Sequence, residues 1–113
     1  MEERTEKMLE HKSKVEELVK AELETANATY PMFHSAHEAY AVIKEEIEEL
    51  QAEINAIMYF DEKMWSCVKS DTSLIGKLKN MYNHAILAAL EVIQVAAMCQ
   101  KAIDSDIDYT DYE

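Results

Sequence analysis

The chain has 113 residues, enough for one domain that buries a modest core. Its formal net charge of −12 and its single arginine, Arg4, exclude a phosphate-backbone surface, which needs clustered Lys and Arg. One Gly and one Pro, with 49% apolar and 30% charged residues, exclude a turn-rich β fold and point to long helices.

The first helix is expected from about Arg4 to Ala28. Val15, Leu18, Val19, Leu23 and Ala26 recur mostly three and four apart, and Glu22 interrupts their stripe as a rim residue. Before Val15 the pattern is polar, so that end projects or meets a partner. Tyr30-Pro31 closes the helix, because the residue before proline is pushed out of the helical region.

Ser35-Ala36-His37-Glu38 fits a capping box, so a second helix starts near Ala36 and is expected to reach about Met58. Its stripe, Tyr40, Ile43, Ile47, Leu50, Ile54 and Ile57, is spaced as the seam of a packed bundle. Tyr59–Ser70 reads as less regular, with a short helix around Met64, Trp65 and Val68 capped by Asp61, and Trp65 as a core plug. Asp71, Thr72 and Ser73 offer N-caps for a third helix from about Ser73 to Ile103. Its two apolar stripes, one through Leu74, Leu78 and Met81 and one through Ile75, Tyr82 and Ile86, make it the central element. The expected fold is all-α: an antiparallel bundle of three long helices plus a short one, completed by dimerisation. Residues 1–103 form one domain with its core at 34–103, and the acidic residues 104–113 form a mobile tail.

Cys67 and Cys99 have no CxxC or histidine-spaced partner and read as reduced thiols. The charged N-terminus is no signal peptide, and the apolar run Ala85–Cys99 is too short to span a bilayer, which suggests a cytoplasmic protein. His34 and His37 lack a third ligand for zinc. The seven methionines fall mostly at core spacing and read as packing. No Glu-x-x-His motif, glycine-rich phosphate loop or nucleophile triad is present.

The carboxylates carry the functional signal. Residues 45–50 read Glu-Glu-Ile-Glu-Glu-Leu, and Glu91 stands alone in an apolar helix. With Glu45 at zero, Glu49 lies near 40°, Glu53 near 80°, Glu46 near 100° and Glu48 near 300°, against a seam at roughly 170°. Glu46 and Glu53 therefore border the seam with Glu49 beside them, while Glu48 faces solvent. Like charges three and four apart repel unless a cation neutralises them. On the third helix His84, Glu91, Gln94 and Lys101 form one polar ribbon. If the two helices pack, Glu46, Glu49 and Glu91 converge as a hard-oxygen site for Mg²⁺ or Mn²⁺. The plainer alternatives are a solvated acidic face for the run, and a salt bridge or subunit rim for Glu91.

An EExxE run followed by ExxD on a later helix marks the all-α nucleoside triphosphate pyrophosphohydrolases, the MazG-like family. Glu45-Glu46-Ile47-Glu48-Glu49 resembles the first half and Glu91-Val92-Ile93-Gln94 the second, with Gln94 where the family has Asp. The likeness covers about residues 34–103, and His37-Glu38-Ala39-Tyr40 and the stretch Glu91–Met98 resemble small phage and prophage members. It implies Mg²⁺-dependent cleavage of an NTP or dNTP to the monophosphate and pyrophosphate. Glu46, Glu49 and Glu91 would be metal ligands with Gln94 in the fourth place. Glu45 or Glu53 would orient the water, and Lys101 or Lys77 would meet phosphate. The resemblance also implies a homodimer or homotetramer. Two departures stand out: the neutral Gln94, and a gap between the half-motifs that an inserted short helix at 59–70 would explain. The alternative is a non-catalytic helical binding or oligomerisation module with a degenerate metal site.

Overall fold

A computed structural model describes residues 2–107. It has three helices, α1 (Glu2–Thr29), α2 (Ala36–Lys69) and α3 (Ile75–Asp104), and no strand among the described residues. The protein is all-α, as the scarcity of helix breakers requires.

The helix ends follow local chemistry. The Tyr30 amide makes the last helical bond of α1, to the Ala26 carbonyl at 2.9 Å, just before Pro31. At the start of α2 the Glu38 amide donates to Ser35 Oγ at 3.1 Å, and the Glu38 carboxylate reaches back to the His34 amide at 3.3 Å. The box thus forms with its return bond one residue earlier than expected. After α2, Asp71 adopts a left-handed φ of 54°. The Thr72 amide then reaches the Cys67 carbonyl at 2.9 Å and the Asp71 amide reaches Val68 at 3.3 Å, the bond pair of a Schellman cap. Ser73 Oγ accepts from the Ile75 amide at 3.3 Å and caps α3.

The short helix expected at 59–70 is not a separate element. α2 runs unbroken through Tyr59–Ser66 to Lys69. No Gly or Pro interrupts this stretch, and half-buried Ile57, Phe60, Met64 and Cys67 continue the three-and-four spacing. The long gap between the two acidic half-motifs is therefore continuous helix and a tight turn.

The described residues divide into two compact units, 2–44 with 93–107, and 45–92. The first is a three-helix bundle. Phe33, Ala39, Ala97, Met98 and Ile107 are its buried apolar residues, and Val19, Leu23, Ala26, Val42, Ile43 and Ala102 pack against them. Lys101 is buried at 2% exposure, with its Nζ 5.1 Å from the Phe33 ring centroid, so the aromatic face offsets part of the cost of enclosing the charge. The Phe33 amide donates to Ser105 Oγ at 3.0 Å, and that hydroxyl donates to the Lys101 carbonyl at 2.7 Å. These bonds tie the 30–35 connector to the end of α3. Ile107, within the tail expected to be mobile, is buried in this core, and residues 108–113 of that tail lie outside the described residues. Val15 and Leu18 do not join the core: α1 is exposed from Glu2 through Leu18, and only its last turns pack.

The second unit is an antiparallel hairpin of α2 from Glu45 and α3 as far as Val92. The side chains fix its register: Glu46 meets Glu91, and Glu53 meets His84, so seven residues forward on α2 is seven back on α3. No residue of this unit is fully buried. The expected stripe splits. Leu50 and Ile57 are half-buried, whereas Ile47 and Ile54 are exposed and Trp65, at 60% exposure, is no core plug. α3 is not covered on most sides here either, because a two-helix hairpin screens only one ribbon of each helix. Leu78, Tyr82, Ile86, Leu87, Leu90 and Val92 are exposed. Not all methionines are core: Met8 and Met58 are over 60% exposed, while Met98 is buried. α3 is also long and apolar enough, by length and composition alone, to cross a membrane, which its apolar run by itself is not.

Candidate metal centre

The half-buried ribbon of the hairpin interleaves polar and apolar residues where a bundle seam would be apolar throughout. On α2 it runs through Glu46, Leu50, Glu53, Ile57 and Phe60, and on α3 through Met81, His84, Ala88 and Glu91. Glu46 and Glu91 sit opposite each other in the antiparallel register, and Glu49, one turn along α2 from Glu46, joins them from the rim. Glu46, Glu49 and Glu91 each offer a carboxylate oxygen, and the three oxygens lie within 4.8 Å of one another. Glu46 and Glu91 are half-buried and Glu49 is exposed.

The electrostatics show the strain of this convergence. The Glu91 carboxyl is raised from its ordinary value of 4.5, first by burial, then by the charge of Glu49 and hydrogen bonding with it, and then by the charge of Glu53. Hydrogen bonding with Glu46 acts in the opposite sense. An ionised carboxylate only accepts hydrogen bonds, so carboxylates that bond to each other share a proton. A divalent cation would do the same work with more charge.

The donor set suits a hard cation. Oxygens around a six-coordinate Mg²⁺ at 2.0–2.1 Å stand roughly 3 Å apart when adjacent and about 4.2 Å when opposite, so small rotamer shifts bring the three into range. All-oxygen, carboxylate-rich ligation suits Mg²⁺, Mn²⁺ or Ca²⁺, and the site offers none of the thiolate or imidazole ligands favoured by Zn²⁺ and Cu²⁺.

The other expected site residues fall as follows. Glu45 is exposed, as is Glu48, which points outward as helical geometry requires. Glu53 is half-buried, and its Oε2 lies 2.7 Å from His84 Nδ1. Lys77 is half-buried on α3. Gln94 follows Glu91 by three residues on α3, is half-buried, and belongs to the other unit, as does Lys101 with its Nζ over Phe33. His34 is exposed and its Nδ1 stands 3.7 Å from Glu38. Cys67 and Cys99 are free thiols.

His84 is the residue that site reasoning from sequence passed over. Its ring stacks on Phe60 at 5.7 Å with planes 22° apart, while the Tyr59 ring meets Phe60 edge-on at 5.1 Å. The signal was present, since His84 lies seven residues before Glu91 and Glu53 seven after Glu46. Pairing the two required the register of the hairpin.

No family model, curated protein or solved structure matches the chain.

Proposed function

We propose that the protein is a divalent-metal-dependent nucleoside triphosphate pyrophosphohydrolase, built around Glu46, Glu49 and Glu91. The observation that carries this reading is the convergence of these three carboxylates from two helices on one point. The resemblance of Glu45–Glu49 and Glu91–Gln94 to the paired acidic half-motifs of the MazG-like family supplies the reaction class. Mg²⁺ or Mn²⁺ held there would neutralise phosphate charge and lower the pKa of a bound water. Glu46 and Glu91 would hold the ion from the half-buried seam, with Glu49 on its exposed side. Glu53 stands on the same α2 face as Glu46, which supports it over the exposed Glu45 as the group that would orient the water and take its proton. Gln94 is neutral where the family has Asp, and the resemblance implies that this substitution would weaken the cation's hold.

The exposed apolar surface of the hairpin supports a homodimer or homotetramer. Two helices alone cannot enclose Ile47, Ile54, Leu78 and Val92, and a second hairpin laid on them completes a four-helix arrangement. The protein then works without nucleic acid or membrane, as a cytoplasmic enzyme.

The test is pyrophosphate release from a panel of NTPs and dNTPs with Mg²⁺, alongside Mn²⁺ calorimetry. Release that disappears in Glu91→Gln supports the reading; no release and no ion binding overturn it. A second reading, a non-catalytic oligomerisation module with a decayed site, is favoured by Gln94 and by the exposed apolar face. Activity gained only on Gln94→Asp would establish that reading.

A further inference from the structure

We propose that His84 is a positioning residue that holds Glu53 as the base for the attacking water. This inference rests on the hydrolase reading above and adds a residue to it. Three observations carry it.

The first is the bond itself. His84 Nδ1 and Glu53 Oε2 are 2.7 Å apart, at the short end for a nitrogen donor and a carboxylate. An ionised carboxylate can only accept, so the proposed role requires the proton on Nδ1. The bond uses Oε2 and leaves Oε1 of the same carboxylate for a water. The second is the ring's support. Stacking on Phe60 at 5.7 Å and 22° fixes the imidazole plane, and Phe60 lies seven residues from Glu53 on the same face of α2. A histidine clamped on one side and bonded on the other has little rotational freedom to lose. The third is reach. Glu53 lies one helical turn beyond Glu49 on α2, and His84 two turns before Glu91 on α3, so the dyad is the next pair along the hairpin from the triad without being one of its ligands.

The chemistry follows. The oxygen of the attacking water forms the new P–O bond, and its proton passes to Glu53 Oε1. The bridging P–O bond breaks, and its electron pair leaves on the pyrophosphate. His84 neither gives nor takes a proton in this step. It fixes the rotamer of Glu53 and aims Oε1.

The experiment compares His84→Phe, which keeps a ring against Phe60 and removes the donor, with His84→Asn, whose amide nitrogen restores one near the Nδ1 position. Pyrophosphate release with Mg²⁺ and Mn²⁺ calorimetry are run on both, with ¹⁵N NMR of the wild-type imidazole. His84→Phe is expected to lower kcat by on the order of ten- to a hundredfold, the range for a lost supporting hydrogen bond, with KM and Mn²⁺ affinity unchanged. His84→Asn recovers most of the loss. The imidazole ¹⁵N shifts at alkaline pH report the Nδ1–H tautomer, and Glu53→Ala returns the ring to the Nε2–H form. Full kcat in His84→Phe, a loss confined to KM or Mn²⁺ affinity, no recovery in His84→Asn, or an Nε2–H ring in the wild type would each overturn the role of His84 and leave the hydrolase reading standing. A wild type inactive on every triphosphate overturns the hydrolase reading and this role together.

Discussion

The two compact units solve different problems with the same helices. Residues 2–44 with 93–107 enclose Phe33, Ala39, Ala97, Met98 and Ile107, and even a lysine lies buried against an aromatic ring. Residues 45–92 enclose nothing fully, and their seam carries Glu46, Glu53, His84 and Glu91. The first unit spends its interior on stability. The second gives its best-screened positions to charge, which costs stability wherever the carboxylates stay unneutralised. A chain can carry such a seam when another part of it supplies the packing, and when a ligand or a second copy completes the rest.

The contrast can be broken from either side. The largest effect should come from the triad. Glu91→Gln is expected to lower Mg²⁺-dependent turnover by about 10³-fold, matching the loss of several kcal/mol of charge stabilisation, as read by pyrophosphate release. Its stability should move the other way, because the folded protein holds the Glu91 carboxyl above its ordinary pKa. A raised carboxyl pKa favours the fold at acid pH and loses that contribution as pH rises through the folded value. Metal-free Glu91→Gln should therefore melt above the wild type at pH 7, and the gap should close towards pH 4. A gap that widens on acidification contradicts the assigned cause.

A core change should show the opposite pattern. Met98→Ala removes a buried side chain and is expected to cost about 2–3 kcal/mol in urea unfolding, while Mn²⁺ affinity at the triad stays unchanged. Paired changes on the open face of the hairpin, Ile54→Glu with Leu78→Glu, should weaken self-association by on the order of a hundredfold or more in sedimentation velocity and leave helicity intact. If the wild type sediments as a monomer, the apolar face is not a contact between copies. The smallest effect belongs to the turn. Asp71 adopts φ 54°, and Asp71→Gly should stabilise by about 0.5–1 kcal/mol through relief of the left-handed backbone.

Much of the local structure was readable before any coordinates. Pro31 ends α1, Ser35 caps α2, and a single turn of arithmetic sends Glu48 outward and Glu46 to the seam. The spacing of His84, Glu91, Gln94 and Lys101, seven, three and seven, puts them on one ribbon, and each of them is half-buried or buried. The errors share one cause. Tyr59–Ser70 reads as less regular, and Ile47, Ile54 and Trp65 as core, because periodicity alone does not say which arc of a helix meets a neighbour. The pairing of Glu53 with His84 was missed because each residue, taken on its own helix, looks like an ordinary polar position.

Sequence alone determined what depends on neighbours along the chain: an all-α protein, its caps and its turn, and carboxylates placed on one helical face. Those follow from backbone hydrogen bonding and a fixed rotation per residue, which are local. Tertiary structure alone decided which face is shared. The antiparallel register of α2 and α3 set Glu91 against Glu46 and Glu49, and His84 against Glu53. A slip of one residue on either helix turns every side chain by about 100°, so a site built across two helices exists only once their register is set.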